Sequence, residues 1–158
     1  MSAAKEAIRR ATSSDIPQIV SLINRAFAVE RFFKTGDRTD SEQIRQMMEQ
    51  GTFLLLEDGI RPLACVFVKT TGDRGYIGTL SVDPERQRSG LGTRMMHEAE
   101  ACCRAAGCKA VDIRIVNVRQ ELPAIYHKFG FVETGTQSAE VIKSATRPVH
   151  FITMSKNL

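Results

Sequence analysis

Leu80-Ser81-Val82-Asp83-Pro84-Glu85-Arg86-Gln87-Arg88-Ser89-Gly90-Leu91-Gly92-Thr93 is the stretch on which the reading of this chain turns. It passes from an alternating strand through a tight polar loop into an amphipathic helix. Gly90 and Gly92 remove Cβ atoms where the first helical amides begin, and those amides have no partner inside the helix. Unpaired amides at the positive end of a helix dipole form a receptor for a compact anion. The loop arginines Arg86 and Arg88 would then neutralise the outer oxygens of that anion. A structural cap or tight packing asks for the same two glycines, so on this stretch alone both readings stand. The GxxxxGK[ST] order of a Walker loop is absent, and so is the full glycine spacing of a dinucleotide fingerprint.

Downstream, in a helix expected to begin near Ser89, Leu91, Met95, Ala99, Cys102 and Ala106 recur at helical spacing until Gly107. Cys108 to Val116 alternates as a strand, Pro123 opens a short helix through Phe129 that Gly130 closes, and two strands follow, one from Phe131 and one over Val149 to Met154. Upstream, Arg74 to Val82, Leu63 to Thr70 and Phe53 to Leu56 are joined by connections too short for helical crossovers, which predicts an antiparallel meander. In the last of these strands Tyr76, Gly78, Leu80 and Val82 are expected on one face, and Ile77, Thr79 and Ser81 on the other. Before the meander come a strand over Ala7 to Ala11 and two helices. The first carries Ile16, Ile19, Val20, Ile23 and Phe27 behind Ser13-Ser14-Asp15; the second begins with a capping box of Thr39 and Glu42 and ends at Gly51. Interleaved strands and helices without a linker predict one domain over residues 1–158. Its class is mixed α/β, counted as α+β in some schemes, with a mostly antiparallel sheet flanked by helices.

Composition narrows the partners. A net charge of +4 with no basic tail or stripe fits a small anionic ligand better than a nucleic-acid backbone. No apolar run approaches a membrane span, and Lys5, Glu6, Arg9 and Arg10 interrupt any leader-like stretch, so a cytoplasmic protein is expected. The four cysteines form no CxxC pair and His97, His127 and His150 are far apart in sequence, so neither a disulfide framework nor a metal site is expected.

With its surroundings the opening stretch strongly resembles the GCN5-related N-acetyltransferase (GNAT) superfamily. Gln87-Arg88-Ser89-Gly90-Leu91-Gly92 meets its Q/R-x-x-G-x-G/A pattern, while Val82-Asp83-Pro84 and Tyr126-His127-Lys128-Phe129-Gly130-Phe131 look like the expected flanks. The resemblance implies a sheet splayed between strands four and five, with acetyl-CoA as donor cosubstrate. It puts the pantetheine arm beside Leu80 and Val82, and the pyrophosphate against the amides of Gln87, Arg88, Ser89, Gly90, Leu91, Gly92 and Thr93. It also implies a homodimer. The acceptor expected is a primary amine of a small molecule, with two alternatives: a lysine or N-terminal amine of a protein, or no turnover at all in an acyl-CoA-binding regulator.

For the chemistry, the resemblance places Tyr126 near the thioester sulfur as its proton donor; without it, Tyr126 reads as a buried aromatic at a helix end. Glu30 is the leading candidate base because it lies in the junction after the first helix, where the family shapes its acceptor pocket, although a surface salt bridge would also account for it. Many relatives carry a carboxylate in the third strand of the meander, and none occurs here between Tyr76 and Val82. Asn117 either bonds pantetheine or caps the next turn, and its spacing to Tyr126 departs from the family's. Phe32, Phe33 and Tyr76 are candidates for an apolar acceptor wall or for core packing.

Overall fold

The structure, a computed structural model, describes residues 6–59 and 61–158. Its elements follow the order β1 (Ala7–Arg10), α1 (Ile16–Ala26), α2 (Ser41–Gln50), β2 (Thr52–Glu57), β3 (Pro62–Thr71), β4 (Arg74–Val82), α3 (Leu91–Ala105), β5 (Ala110–Val116), α4 (Leu122–Lys128), β6 (Val132–Ser138) and β7 (His150–Asn157). Short 3₁₀ turns precede α1 and follow it, the second over Phe27–Phe32. The strands form one seven-stranded sheet in the order β1-β2-β3-β4-β5-β7-β6. Every pairing is antiparallel except that of β4 with β5. Among the described residues no helix is long and apolar enough to cross a membrane.

The central strands read as continuous apolar runs because both faces are covered. Leu54, Leu56, Ala64, Val66 and Val68 pack under α3 with Met95, Met96, Ala99 and Cys103. Phe53, Leu55, Cys65 and Phe67 face the other way, against Ile19, Leu22 and Ile23 of α1 and Ile44 of α2. Gly75 lets α3 sit this close: a Cβ there would come within 2.4 Å of Cys103 Sγ.

β4 departs from simple alternation. Cys65 pairs with Ser81 but Phe67 pairs with Gly78, so β4 spends one more residue than β3 across this interval. Thr79, inside the bulge, has φ of 48°. One extra residue exchanges the faces of everything beyond it. Ile77 contributes to the α3-side core, and Leu80 and Val82 pack against that same core, whereas Tyr76 packs on the α1 side. The expectation that Tyr76, Gly78, Leu80 and Val82 share a face is therefore wrong, and the bulge is the reason.

Two helix starts also differ. The α2 cap is Asp40, whose carboxylate accepts from the Gln43 amide at 2.9 Å. Thr39 is held instead by Asn24, which bonds its amide and carbonyl, and Glu42 turns to Arg45 and Gln46 of its own helix. Helix α3 begins at Leu91 rather than Ser89.

The entry to α1 is fixed electrostatically. Asp15 accepts from the Thr12 amide at 2.7 Å and from both terminal nitrogens of Arg9 at 2.8 Å. The Arg9 guanidinium holds this buried carboxyl well down, at about 2, against the opposing effect of burial. A depressed carboxyl stabilises the fold above its unfolded-state value and loses that contribution as pH falls through its folded value. Asp15→Asn is therefore expected to cost about 1–2 kcal/mol at pH 7 in urea unfolding, allowing for the exposure of Arg9. The difference should shrink between pH 3.8 and about 2; a deficit constant across that window would show that the ion pair contributes nothing.

Candidate functional site

The site begins where β4 ends. Asp83 is fully buried, its amide donates to Leu63 O at 2.8 Å and its carboxylate accepts from the Glu85 amide at 2.9 Å and from Arg25 at 3.1 Å. Burial pulls this carboxyl upward, but the Glu85 amide and the Arg25 guanidinium prevail and keep it below the usual range. A charged, buried anchor thus aims the chain off the sheet. Beyond it Arg88 and Gly90 both take positive φ, 66° and 83°. Gly90 is the N-cap of α3, no side chain bonds the helix start, and the first intrahelical bond closes from the Arg94 amide to Gly90 O. The amides of Leu91, Gly92 and Thr93 thus have no intrahelical acceptor and form a concave group of donors.

The loop's cations are divided. Arg86 and Arg94 both bind Glu6, at 3.0 and 2.7 Å. Arg88 is exposed and has no ion-pair partner among the described residues. Of the two arginines expected to meet an anion, Arg86 shares Glu6 with Arg94 and Arg88 is available. Ser89 Oγ donates to Arg86 O, and Gln87 Nε2 to Val82 O at 3.4 Å, so both side chains brace the loop.

From this loop a cleft of about 1290 Å³ runs between β4 and β5. The two strands pair only at Arg74↔Ala110, Gly75↔Val111 and Tyr76↔Asp112. Past Tyr76 they diverge, each remaining paired with its other neighbour, β3 or β7. Leu80, Val82 and Gln87 line one side, Ile113 and Ile115 the other, and Leu122 and Tyr126 of α4 close the end. Thr79 Oγ1 in this wall is buried without a hydrogen-bond partner. Tyr126 stands edge-on to Phe131 at 6.0 Å, and its hydroxyl makes no hydrogen bond among the described residues. Burial pushes this phenol upward, with Arg119 opposing, so it keeps its proton at neutral pH.

Glu30, in the 3₁₀ turn after α1, also borders the cleft. Its carboxylate is buried and accepts from Arg119 at 3.4 Å. Burial raises its pKa although Arg38, Arg119 and Lys34 all work against it. The segment carrying it is pinned: Thr146 donates to Phe33 O at 2.7 Å, and Thr35 to Ser144 O at 3.0 Å. Asp112 also borders the cleft, but Arg74 and Ser155 occupy its oxygens and lower its pKa. Glu30 and Tyr126 are thus a carboxyl and a phenol of the cleft that burial makes hold their protons more tightly than usual.

A family model described as an acetyltransferase (GNAT) domain matches residues 49–133, more than half of the chain. The chain belongs to the GNAT acetyltransferases. A protein of Oryza sativa subsp. japonica, named as a probable glucosamine 6-phosphate N-acetyltransferase 2, is 34% identical over 88 residues, 52% of this chain. The chain spans about half the length of that relative, 51%. Among solved structures, the ribosomal-protein-S18-alanine N-acetyltransferase of Escherichia coli superposes with a TM-score of 0.79 at 16% identity, over 97% of this chain and 94% of that one. Ard1 of Thermoplasma volcanium gives 0.78 at 18%, over 97% of each chain. At these identities the structural likeness is one of fold.

Within this GNAT fold the sequence candidates separate. Leu80, Val82, Gln87, Glu30, Tyr76 and Tyr126 all border the same cleft, whereas Arg88 to Thr93 follow Gln87 along the chain without lining it. Asn117 does not border it; its Oδ1 accepts from the His150 amide at 2.9 Å and joins β5 to β7. Phe33 is packed with Val116, Ala139 and Phe151, and Phe32 is exposed beneath Arg147, so neither forms an acceptor wall. Arg38, Arg119 and Thr79 border the cleft without having been singled out. Arginines are common on surfaces, and a bulged threonine leaves no mark on the hydrophobic pattern.

Gly92 bears on the donor that the family implies. It lies in the first turn of α3, and a Cβ there would meet only Val82 Cγ2, at 3.9 Å. The protein itself has room for a side chain, so its own packing does not require the glycine. Gly92→Ala is expected to leave stability unchanged or raise it by up to about 1 kcal/mol through helix propensity. The same variant should weaken acetyl-CoA binding about tenfold or more by calorimetry, since a methyl would fill the cradle; unchanged affinity would clear Gly92 of that role.

Proposed function

We propose that this chain, working as one domain, is an acetyl-CoA-dependent N-acetyltransferase that passes the acetyl group directly to a primary amine of a small molecule. The observation that carries it is the continuity of one cleft, from Gln87 in the loop that leads to the uncapped start of α3, along the unpaired edges of β4 and β5, to Tyr126 and Glu30. Open strand edges suit an amide-bearing arm, which pairs with them as an added strand would. Helix-start amides and Arg88 suit its pyrophosphate. When bound, acetyl-CoA supplies a thioester carbon activated toward attack by nitrogen.

The chain's own groups then handle protons and position. Tyr126, protonated at neutral pH, is the donor for the departing sulfur. Glu30, desolvated and with a raised pKa, is the acceptor for the ammonium proton of the amine, directly or through water. Holding the amine against the thioester supplies much of the remaining acceleration. An acyl-enzyme is disfavoured: Cys65 is fully buried, and burial pushes its thiol up to about 12.

A polypeptide amine is the second reading. It is favoured by the extension of the cleft lining onto Thr134, Gln137, Thr153 and Ser155 of β6 and β7, which gives an extended chain somewhere to lie.

Release of CoA that requires an added amine, with the acetylated product seen by mass spectrometry, would establish turnover. Tight CoA binding without release across amines and peptides would make the chain a binding module instead. Tyr126→Phe is expected to lower kcat by about 10²-fold or more with little change in acetyl-CoA affinity; equal rates would exclude the acid role. Glu30→Gln should lower kcat/KM and remove the lowest ionisation from the pH profile, one lying above the ordinary glutamate value. Activity rises with pH through that ionisation because a base acts deprotonated; a profile unchanged in the variant would assign the limb elsewhere.

A further inference from the structure

The acceptor end of the cleft has more positive than negative charge. Its carboxylate Glu30 feels two guanidiniums carried by different loops, Arg119 in contact with it and Arg38 farther off, both bordering the cleft. Arg119 stands 3.4 Å from Glu30, and its Nε is buried without a hydrogen-bond partner, the nearest carboxylate beyond it being Glu121 at 3.7 Å. Arg38 Nε is likewise buried and unpartnered, and among the described residues Arg38 has no carboxylate partner; its guanidinium lies over the Phe27 ring, 5.2 Å from the centroid. The third cation, Lys34, is buried beside them and, among the described residues, its ammonium donates only to the carbonyls of Gly36 and Asp37, at 3.5 and 3.3 Å. The remaining neighbours, Arg31 and Asp37, pair with each other at the exposed surface.

Buried donors without acceptors cost free energy, and a guanidinium fork matches the two oxygens of a carboxylate or the face of a phosphate. Both arginines, each with an unpartnered Nε, are carried by tied backbone. Arg38 adjoins Thr39, which Asn24 of α1 clamps through amide and carbonyl, and Arg119 sits in the turn closed by the Leu122 amide on its own carbonyl at 3.1 Å. We propose that Arg38 and Arg119 form a subsite for an anionic group on the acceptor, so that the favoured substrate is a small primary amine bearing a carboxylate or a phosphate. The anion takes the Arg119 fork that Glu30 now shares, which leaves Glu30 to face the amine. This rests on the N-acetyltransferase reading above, and deepens it by assigning the acceptor's charge.

The test uses the whole chain with acetyl-CoA and matched acceptors: glucosamine 6-phosphate against glucosamine, and glycine against glycinamide. The anionic member of at least one pair is expected to be favoured about tenfold or more in kcat/KM, and the pair that shows this identifies phosphate or carboxylate. Arg38→Gln should abolish the preference by raising KM for the anionic member relative to its neutral mate, any change in kcat that follows from a higher Glu30 pKa being shared by both. Arg38→Lys, which keeps the charge and loses the fork, should retain part of the preference. Equal use of neutral and anionic acceptors, or an equal loss on both in Arg38→Gln, would overturn the proposal. If no amine is turned over, the N-acetyltransferase reading fails by itself. The subsite is then read by calorimetry of CoA-saturated protein with inorganic phosphate and with acetate, where binding that Arg38→Gln removes upholds it and absence of binding to the unsubstituted chain refutes it.

Discussion

β4 keeps its hydrogen bonds to β3 along nearly its whole length but meets β5 at only three pairs, and the site depends on that asymmetry. Two adjacent parallel strands that part company leave backbone donors and acceptors on both inner edges. Such groups are costly to bury unless something else pairs with them. The divergence is tolerated because each strand is secured on its other side, β4 by β3 and β5 by β7 as far as Val116↔Phe151. The bulge at Thr79 and Leu80 acts with it, turning Leu80 and Val82 toward the α3 side while Tyr76 stays on the α1 side. One strand can thereby furnish the wall beside the loop and also border the acceptor end.

The rest of the cleft is held by anchors that are themselves buried. Asp83 ties the end of β4 to α1 through Arg25, so the loop that presents the α3 amides is joined to the helix that leads into Glu30. The turn after α1 is in turn stitched to the segment around Ser144 and Thr146 and, through Phe33, to the cluster with Val116 and Phe151. Donor end and acceptor end are therefore parts of one framework. This allows a thioester and an amine to be held in register, which is where a transferase lacking a covalent intermediate must find much of its rate.

Element order and the glycine-bearing loop that leaves the start of α3 uncapped were legible in the sequence because both rest on local signals: glycine at helix ends, periodicity, and short connections. The departures have physical causes that such signals do not carry. A bulge adds one residue within an otherwise regular strand, so the alternation of Tyr76 to Val82 looked intact although its faces had been exchanged. Thr39 and Asp40 are adjacent and both suited to cap a helix; Asn24, fifteen residues earlier, decides between them by clamping Thr39. Asn117 stands at the end of β5 as anticipated, but the pairing of β5 with β7 puts the His150 amide within reach of its oxygen. Arg38 and Arg119 gained meaning only when the fold brought them to the same carboxylate from positions 81 residues apart in sequence.

The central claim is that the opened edges of β4 and β5, with the start of α3, receive the donor. Amide hydrogen exchange with and without CoA tests it most directly. Slowed exchange at amides within Ile77–Val82 and Arg88–Thr93, with β1 and β2 unchanged, is the expected result. CoA that binds without protecting either stretch would contradict it.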